Sequence, residues 1–409
     1  MRLDHLWLTD FRNYRAVELG LPPGLLAVVG DNGAGKTNLL EAIGYLATLA
    51  SFRGVGNEAL VRAGAGQAVV RGEGERQGRA LLIEAEIRPS GRGRVTVNRQ
   101  PLRRSADLAA TLRVSVFSPD DLELVKAGPT GRRRYLDDAL SSLHPRHAAA
   151  RRDFERVLRQ RNALLQQAGL RGPNAVAGLR GPNAAPGLRG PNAGPGLRGP
   201  NAGPGLRGPN AVTGLPEDVA TTLGVWDARM VETGEALGAA RADLVARLEP
   251  AVTKAYAAMA GVGEATLAYE APWRADGLAR ALELARRDEL RRGVSLVGPH
   301  RDDLVLTVNG LPARTHASQG EQRSLALALR LAAHDVIADQ VGEPPLLLLD
   351  DVFSELDPAR SAALVRHLPP GQAVLTTAGR LPAGVAPDRT VTLAAGALVP
   401  GTPPPGPSP

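Results

Sequence analysis

The sequence predicts an α/β fold that is split by a helical insertion, and three features indicate it. The apolar run LLAVV (25–29) is followed by the glycine-rich stretch GDNGAGKT (30–37) and by a helix-like segment at 38–50. A second apolar run, PLLLLDD (345–351), ends in two carboxylates. Between the two runs, from about residue 132 to residue 292, Ala, Leu and Arg recur at helical spacing around a Gly/Pro/Asn repeat.

Hydrophobic periodicity places the other elements. Period-2 alternation at 3–8 and 17–21, on either side of the turn DFRNYR, predicts a β-hairpin ahead of the strand at 25–29. The other expected elements are strands at 80–87, 93–98, 114–117, 304–308 and 373–377, and helices at 150–167, 217–260, 274–292 and 319–340. The predicted domains are the N-terminal half of an α/β head at 1–125, a helical lobe at 126–292, the C-terminal half of the head at 293–400 and a disordered tail at 401–409.

The helical insertion contains the segment GLRGPNA five times, starting at 169, 178, 187, 196 and 205. Gly, Pro and Asn at this density cannot bury a core, and the glycine register is too interrupted for a collagen helix. We therefore expect a disordered linker at 169–213. A basic tether that touches DNA is the alternative.

Composition limits the class of protein. A chain of 409 residues, 43% of them hydrophobic, is long enough for a large core and for two or three domains. It shows no basic-then-apolar N-terminal signal, and its longest aliphatic run, LLLL, is too short to cross a bilayer, so no membrane association is expected. The lack of cysteine excludes disulfides and fits a reducing cytoplasm. Five of the +7 formal charges are the arginines of the repeat, so only +2 remains elsewhere and the net charge alone does not indicate nucleic acid.

The stretch GDNGAGKT matches the phosphate-binding pattern G-x-x-x-x-G-K-[ST] at every fixed position, between a strand and a helix as the pattern requires. Backbone N–H groups of its glycines would converge on phosphate oxygens at the positive end of the helix dipole. Lys36 is expected to act catalytically between the β- and γ-phosphates, and Thr37 to bind Mg²⁺. The nucleotide-binding residues predicted here are Gly30, Asp31, Asn32, Gly33, Ala34, Gly35, Lys36 and Thr37. ATP and Mg²⁺ are the predicted ligands.

The run PLLLLDD supplies the acidic partner that a phosphate loop needs for its metal. We expect Asp350 to hold the magnesium through its water shell and Asp351 to act catalytically by polarising the attacking water. Similar ATPases usually carry Glu at the second position. The shorter side chain of Asp351 reaches less far, which predicts slow turnover. The alternative reading is a pair of solvated carboxylates at the end of a strand.

Two further motifs flank the acidic run. ASQGEQ (317–322) opens a helix ahead of it, and SELDP (354–358) follows it directly. This layout resembles the ABC-type ATPase family, in which the first motif is the signature and the second is the D-loop. The resemblance implies that the signature residues Ser318, Gly320 and Glu321 bind the γ-phosphate of a nucleotide held by a second subunit. A helix N-terminus suits such an anion. A simple helix N-cap, the alternative, would account for Ser318 alone.

Seven stretches resemble, in order and spacing, the RecF family of bacterial recombination mediators. They are LTDFRNYRAVEL (8–19), GDNGAGKTNLLEAI (30–43), LATLASFR (46–53), SPDDLELVKAGPTGRRRYLD (118–137), GPHRDDL (298–304), SQGEQRSLALALRLA (318–332) and LLLLDDVFSELDPAR (346–360). The resemblance covers nearly the whole chain except the repeat and the tail. It implies an SMC-like, ABC-type ATPase head with a helical second lobe.

The resemblance also implies a function. Proteins of this family are ATP-dependent homodimers in the cytoplasm that bind DNA at gaps and at junctions of single and double strands. With RecO and RecR they help to place RecA there during repair, replication-fork maintenance and the SOS response. A slow, DNA-stimulated ATPase is therefore expected, with hydrolysis acting as a switch. Two departures stand out: the region of VSVFSPDDL has no Q-loop glutamine, and Thr376 and Thr377 stand where a switch histidine often lies, which leaves the γ-phosphate sensor unassigned.

Arginines at the start of the helical insertion are the best candidates for DNA contact. They are Arg132, Arg133, Arg134, Arg152, Arg156 and Arg159, with Arg151 and Arg161 on the same predicted helix. Contacts from such residues to phosphates would make binding independent of sequence and sensitive to salt. Acidic residues are interleaved with them, so a solvated helix face with internal ion pairs is the alternative.

Two other functions stay open. A transporter-type ABC subunit would need a surface that couples to a membrane partner, and the split head with basic helices argues against it. An ATP-controlled clamp or scaffold would hydrolyse negligibly and act by recruiting partners. The ATPase rate with and without DNA distinguishes these functions.

Overall fold

The computed structural model describes residues 1–102, 108, 111–171, 217–261, 263–394 and 396–399. The predicted linker lies outside the described residues except for 169–171, which continue a helix, and the predicted tail lies outside them altogether. Contacts divide the chain into two compact units. The first comprises 1–152, 236–272 and 300–409, and the second comprises 153–235 and 273–299.

The strands of the described chain form three sheets, all in the first unit. Their bounds are β1 Arg2–Phe11, β2 Tyr14–Gly20, β3 Leu25–Val29, β4 Ala68–Arg76, β5 Arg79–Ile87, β6 Val95–Val97, β7 Gln100–Pro101, β8 Val114–Phe117, β9 Ala265–Glu270, β10 Asp303–Val308, β11 Leu311–Pro312, β12 Leu346–Asp350, β13 Ala373–Thr377, β14 Arg389–Ala394 and β15 Ala397–Val399. The first sheet has the order β2-β1-β4-β5-β6-β7 and is antiparallel. The second has the order β15-β14-β3-β13-β12-β8, and its strands from β14 to β8 are parallel. The third sheet has the order β11-β10-β9.

The helices in the described part of the chain agree closely with the predicted helical pattern. Their bounds are α1 Lys36–Thr48, α2 Asn57–Leu60, α3 Glu123–Lys126, α4 Pro129–Leu143, α5 Pro145–Arg171, α6 Glu217–Ala260, α7 Leu278–Arg292, α8 Ala313–His316, α9 Gln319–Val341 and α10 Pro358–Arg366. Helix α6 ends at Ala260, as the predicted helix at 217–260 does, and the next residue, Gly261, takes a positive φ of 74°.

The predicted N-terminal hairpin is confirmed. Strands β1 and β2 pair antiparallel with Leu8 opposite Val17 and Leu6 opposite Leu19. These four side chains are buried, whereas the residues between them are more exposed, so the alternation in the sequence gives one inward face.

Helix α1 lies between the first and second sheets. Its buried residues Leu39, Leu40 and Ile43 share one core with the inward face of β1 and with one face of the second sheet. In β12 successive leucines serve opposite faces: Leu348 belongs to this core, and Leu349 packs with α9 and α10 on the other side. Strand β12 is therefore buried on both faces, as expected of a continuous apolar run in a parallel sheet.

Helices from the predicted lobe also pack within the first unit. Side chains of α4, of the C-terminal part of α6 and of α9 form a core with β9 and β10. Arg241 of α6 bonds Asp137 of α4 through two N–H groups, at 2.8 and 2.9 Å, and both residues are buried. The predicted helical lobe at 126–292 therefore includes more residues than the second compact unit. The difference arises because these contacts hold the outer parts of the predicted lobe against β10 and α9.

The second unit contains helical segments around one buried guanidinium. Arg161 is 0% exposed and donates to Asp227 at 2.7 Å, to Glu289 at 2.6 Å and to the Ser295 hydroxyl at 2.7 Å. Removing one partner of such a buried network typically costs ~3–5 kcal/mol. Arg161 is therefore a structural residue, and the prediction that it contacts DNA is wrong.

Helix α9 contains a buried histidine, which makes the stability of the folded state depend on pH. His334 is 2% exposed, and neither ring nitrogen has a hydrogen-bond partner among the described residues. Burial lowers the pKa of His334 from 6.5 to about 4. The unfolded chain therefore binds a proton first as the pH falls, and the folded state loses stability between pH 6.5 and 4.

We expect wild-type protein to lose about 2 kcal/mol more stability than His334→Leu between pH 7.5 and pH 5. Urea unfolding at the two pH values measures this difference. His316→Leu, at an exposed histidine of the same unit, is the control and should behave like wild type. Equal pH dependence in wild type and His334→Leu would contradict the assignment.

Candidate nucleotide site

The phosphate loop predicted at 30–37 joins β3 to α1. Gly35 caps α1 with a φ of 110°, and a Cβ there would lie 2.5 Å from the side chain of Asn13. A Cβ on Gly30 would lie 2.3 Å from the carbonyl oxygen of Leu393. Both glycines thus suit the packing of the loop itself. The N–H groups of Gly30 and Ala34 donate to the carbonyls of Thr377 and Asp31, and the N–H groups of the first turn of α1 have no intrahelical acceptor and can face an anion.

Lys36 is buried and curls back over the loop. Its Nζ donates to the carbonyl oxygens of Gly30 at 2.8 Å and of Asp31 at 2.9 Å. The ammonium group is thus held at the mouth of the loop by two neutral acceptors, and no carboxylate of a described residue pairs with it. A phosphate oxygen, which carries charge, is a stronger acceptor for this group than either carbonyl.

Asp350 at the end of β12 joins three parts of the site. Its Oδ1 accepts hydrogen bonds from the hydroxyls of Thr37 and Thr376, each at 2.9 Å. The carboxylate is 5% exposed. Burial raises the pKa of Asp350 above its usual value, while the bonds from Thr376 and Thr37 and the charge of the exposed Arg53 act in the opposite direction.

The geometry of Thr37 and Asp350 fits Mg²⁺. A threonine hydroxyl that gives its hydrogen to Asp350 still offers oxygen lone pairs, and Mg²⁺ prefers oxygen ligands. No group of three or more His, Cys, Asp or Glu side chains that could hold a metal occurs in the described part of the chain. Magnesium here would therefore depend on nucleotide oxygens and water for the rest of its shell, as is usual for this ion.

Asp351 follows in an unusual backbone conformation. Its φ is 48°, its N–H donates to the Thr376 hydroxyl at 3.0 Å, and its carbonyl accepts from Ser354 Oγ at 2.8 Å. Side-chain atom Oδ1 is buried and has no hydrogen-bond partner among the described residues. A buried carboxylate oxygen that lacks a donor is placed to accept a proton from a water molecule.

Ser318 is the N-cap of α9. Its Oγ accepts from the N–H of Glu321 at 3.3 Å, and the Glu321 carboxylate accepts from the N–H of Ser318 at 2.7 Å. These bonds lower the pKa of Glu321. The reciprocal pair is a capping box, so the Glu321 carboxylate is committed to the helix and does not fit the predicted nucleotide contact. The backbone N–H groups of Gln319 and Gly320, in the first turn, have no intrahelical acceptor.

Two arginines that the sequence reasoning missed connect α9 to the D-loop. Arg323 donates to the carbonyl of Glu355 at 2.9 Å and also pairs with its carboxylate. Arg360 Nε donates to Ser324 Oγ at 3.0 Å, and a Cβ on Gly320 would lie 2.8 Å from Arg360 Nη2. A side chain at the signature glycine would therefore require the Arg360 guanidinium to shift.

The DNA candidates of the first unit differ in exposure. Arg132 is 8% exposed and donates to both carboxylate oxygens of Asp303, at 2.8 and 2.7 Å, so this burial removes it from the DNA candidates. Arg133 donates to the carbonyl of Asp302 at 2.8 Å, and burial lowers its pKa. Arg134 is exposed beside Asp138, and Arg152 is exposed.

The remaining candidates lie on α5. Arg151 is half-buried and pairs with Asp137 and Asp138. In the second unit, Arg156 pairs with Asp153 on the same helix face, and both Arg156 and Arg159 are exposed. Ion pairs of this exposed kind contribute little stability, so the exposed guanidinium groups stay available to phosphates.

No helix in the described part of the chain combines the length and hydropathy that a membrane span requires.

Comparison with known proteins identifies relatives along nearly the whole chain. A family model described as the RecF/RecN/SMC N terminal domain matches residues 2–374. The DNA replication and repair protein RecF of a Nocardioides species is 47% identical over 409 residues, covering 94% of this chain and 96% of the relative. The protein of the same name from Streptomyces avermitilis is 41% identical over 388 residues, covering 92% and 93%.

Solved structures show the same fold. The recombination mediator protein RecF in complex with ATP, described as part of the RecFOR pathway, matches with a TM-score of 0.79 at 24% identity, over 97% of this chain and 96% of that one. An SMC head bound to the C-winged helix domain of ScpA matches with a TM-score of 0.53 at 16% identity, over 97% and 96%. The predicted ABC/SMC-type head is thereby confirmed.

The hydroxyl of Thr376 gives a direct test of the hydrogen bonds around Asp350 and Asp351. Thr376→Val should leave the N–H of Asp351 without its acceptor and remove one of two donors to Asp350, which costs ~1–3 kcal/mol. Thr376→Ser keeps the hydroxyl and is the matched control. Urea unfolding measures the difference, and a stability of Thr376→Val equal to that of Thr376→Ser would show that the hydroxyl is not used as described.

Proposed function

This chain belongs to the RecF family, and we propose that it is an ATP-hydrolysing, DNA-binding protein of DNA replication and repair. The observation that carries the proposal is the shared oxygen of Asp350, to which Thr37 and Thr376 both donate. This oxygen joins the predicted phosphate loop to the carboxylate that is predicted to hold magnesium. Relatives named DNA replication and repair protein RecF support the biological role.

The proposed reaction is hydrolysis of ATP. A water oxygen bonds to the γ-phosphorus, the bond from that phosphorus to the bridging oxygen of ADP breaks, and a proton is released with ADP and phosphate. Asp351 accepts the proton of the attacking water at its buried oxygen. Lys36 exchanges its two carbonyl acceptors for β- and γ-phosphate oxygens. Thr37 and Asp350 would hold Mg²⁺, which neutralises phosphate charge when bound.

The proposed hydrolysis requires two copies of the chain. The first turn of α9 offers the N–H groups of Gln319 and Gly320, and no hydrogen bond among the described residues joins Ser318 or Gly320 to residues 30–37. A γ-phosphate held by the loop of a second copy would satisfy these groups. ATP is then the ligand that closes the dimer.

The proposed DNA contacts are phosphate contacts. The exposed arginines 134, 152, 156 and 159 stand as the candidates, together with the half-buried Arg133. Recognition by such groups is electrostatic, so binding should weaken steeply with salt and show no base preference. Gapped DNA, cooperation with RecO and RecR and assistance to RecA are part of the proposal. They are supported by the description of solved RecF structures as recombination mediators of the RecFOR pathway.

An ATP-controlled clamp that hydrolyses negligibly is the competing function. The short Asp351 at the catalytic position favours slow turnover in either case. Phosphate release by the wild-type chain, measured with and without gapped DNA, separates the two. A rate that rises with DNA supports the ATPase switch, and a rate indistinguishable from zero in both conditions supports the clamp.

Lys36→Met should abolish nucleotide binding, because the phosphates lose a preorganised cation worth on the order of 2–4 kcal/mol. Lys36→Arg should fail as well, since the planar fork is too broad for the space between the two carbonyls. Titration with a fluorescent ATP analogue measures the affinity. Lys254→Met, at an exposed lysine of α6, is the matched control. Affinity within about threefold of wild type in both Lys36 variants would exclude the phosphate-loop assignment.

Light scattering with magnesium and ATP tests the dimer. Ser318→Arg should prevent dimerisation while each monomer still binds nucleotide, because the bulky cation blocks the start of α9 without touching Lys36. Ser318→Thr keeps the capping hydroxyl and should dimerise. Asp351→Asn should bind ATP, hydrolyse it more slowly and accumulate as dimer. A dimer that persists in Ser318→Arg, or a monomeric Asp351→Asn with nucleotide bound, contradicts the proposed arrangement.

A further inference from the structure

The turn between β1 and β2, residues 12–14, contacts the phosphate loop through side chains that have no part in the proposed reaction. Asn13 Nδ2 donates to the carbonyl of Ala34 at 3.1 Å, and the buried Tyr14 hydroxyl donates to the carbonyl of Gly35 at 2.7 Å. The turn belongs to the first sheet, whereas the loop follows a strand of the second sheet. Two consecutive carbonyls of the loop are thus held from a different sheet.

Other contacts hold this turn in place. The N–H of Arg12 donates to the carbonyl of Leu60 at 2.7 Å. The Arg12 guanidinium donates to both carboxylate oxygens of Glu41 at 2.7 and 2.8 Å, and to the carbonyl of Ala59 at 2.8 Å. Glu41 is 0% exposed and lies on α1, so a bidentate charged pair anchors the turn to this helix. Arg12 has a φ of 54°, a conformation that persists in a residue other than glycine when its surroundings enforce it.

The amide of Asn13 has a fixed orientation. Its Oδ1 accepts from Asn38 Nδ2 at 2.8 Å, which leaves its own Nδ2 directed at the carbonyl of Ala34. The N–H of Gly396 donates to the same carbonyl at 3.1 Å. Two donors therefore hold this peptide unit, and both come from outside residues 30–37.

The two carbonyl contacts determine where the following N–H groups point. In a planar trans peptide the C=O and the N–H point in opposite directions, and no cis peptide occurs among the described residues. Because Asn13 holds the carbonyl of Ala34, the N–H of Gly35 points away from the turn. Because Tyr14 holds the carbonyl of Gly35, the N–H of Lys36 does the same. No hydrogen bond joins either N–H to another residue that the structure describes, and two successive N–H groups of this kind suit a phosphate.

We propose that Asn13 and Tyr14 are positioning residues, which aim the N–H groups of Gly35 and Lys36 at the phosphates of the nucleotide. The inference rests on the proposed binding of ATP by residues 30–37. Neither side chain touches the nucleotide. Each holds a peptide unit in the orientation that binding requires, so the loop does not have to be ordered by the ligand.

The first test compares Tyr14→Phe and Asn13→Ala with wild type in the full-length chain. Tyr14→Phe keeps the buried ring, and the carbonyl of Gly35 still accepts from the N–H of Leu39 at 3.1 Å, so unfolding in urea should change little. We expect the Kd for the fluorescent ATP analogue to rise about fivefold to tenfold in each variant. The kcat at saturating ATP should stay within about threefold of wild type, because these N–H groups bind ATP and the transition state alike.

Hydrogen exchange tests the positioning without nucleotide. The N–H groups of Ala34 and Leu39 donate to the carbonyls of Asp31 and Gly35, so the peptide spanning residues 30–40 reports the order of the loop. Its exchange in nucleotide-free protein should be faster in Tyr14→Phe than in wild type. Tyr45→Phe removes a hydroxyl from a buried tyrosine of α1 that forms no hydrogen bond with residues 30–37. It is the matched control and should keep the wild-type exchange and affinity.

Three results would overturn the inference. They are a Kd within about twofold of wild type in either Tyr14→Phe or Asn13→Ala, an equal loss of affinity in Tyr45→Phe, and unchanged exchange in Tyr14→Phe. A kcat that falls by as much as the Kd rises would also overturn it, because the two side chains would then act on the reaction itself. Failure of the proposed function is distinct: wild type would bind the ATP analogue no better than Lys36→Met, and the exchange measurement would still decide the positioning.

Discussion

The structure depends on one buried oxygen, Oδ1 of Asp350. A carboxylate in this position is costly unless donors satisfy it, and the two donors come from Thr37 at the start of α1 and Thr376 at the end of β13. One acceptor thus fixes the phosphate loop against two adjacent strands. The sheet can carry such a group because β12 is buried on both faces, with Leu348 and Leu349 packed in opposite cores. Because Asp350 is buried in a medium of lower dielectric than water, a cation that approaches its carboxylate is attracted more strongly than it would be in water.

A second set of polar contacts determines which polar groups at the start of α9 lack a partner within the chain. The capping box uses the side chains of Ser318 and Glu321, and Arg360 covers Gly320 while bonding Ser324. Among the described residues, the first-turn N–H groups of Gln319 and Gly320 then have no intrahelical acceptor, and they point along the helix axis. On the proposed function, these N–H groups bind the γ-phosphate held by a second copy of the chain. Arg360 also pairs with Asp357 of the D-loop, so one side chain contacts both the signature helix and the D-loop.

The sequence predicted features that depend on neighbouring residues better than features that depend on contacts between distant parts of the chain. The phosphate loop, β12 and the cap of α9 were predicted because each lies within a few consecutive residues. Arg132 and Arg161 were misjudged because their acidic partners, Asp303 and Glu289, lie 171 and 128 residues away. Strand β4 escaped detection because Gly74 interrupts its pattern: a Cβ there would lie 2.0 Å from the carbonyl oxygen of Arg2 on the paired strand.

The role of Thr376 could not be read from its own segment, because it follows from the register that sets Asp350 opposite Thr376 in the parallel pair. The same register bears on Asp351. Its N–H donates to Thr376 and its carbonyl accepts from Ser354, so hydrogen bonds hold the backbone on both sides of the short carboxylate. On the proposed function, a cavity of about 380 Å³ lined by Asp351, Ser354 and Thr377 leaves space for water around the attacking molecule, which weakens general-base catalysis. On the proposed function, the backbone conformation at Asp351 therefore keeps hydrolysis slow. Slow hydrolysis prolongs the ATP-bound dimer, the state in which a protein of this kind would hold DNA.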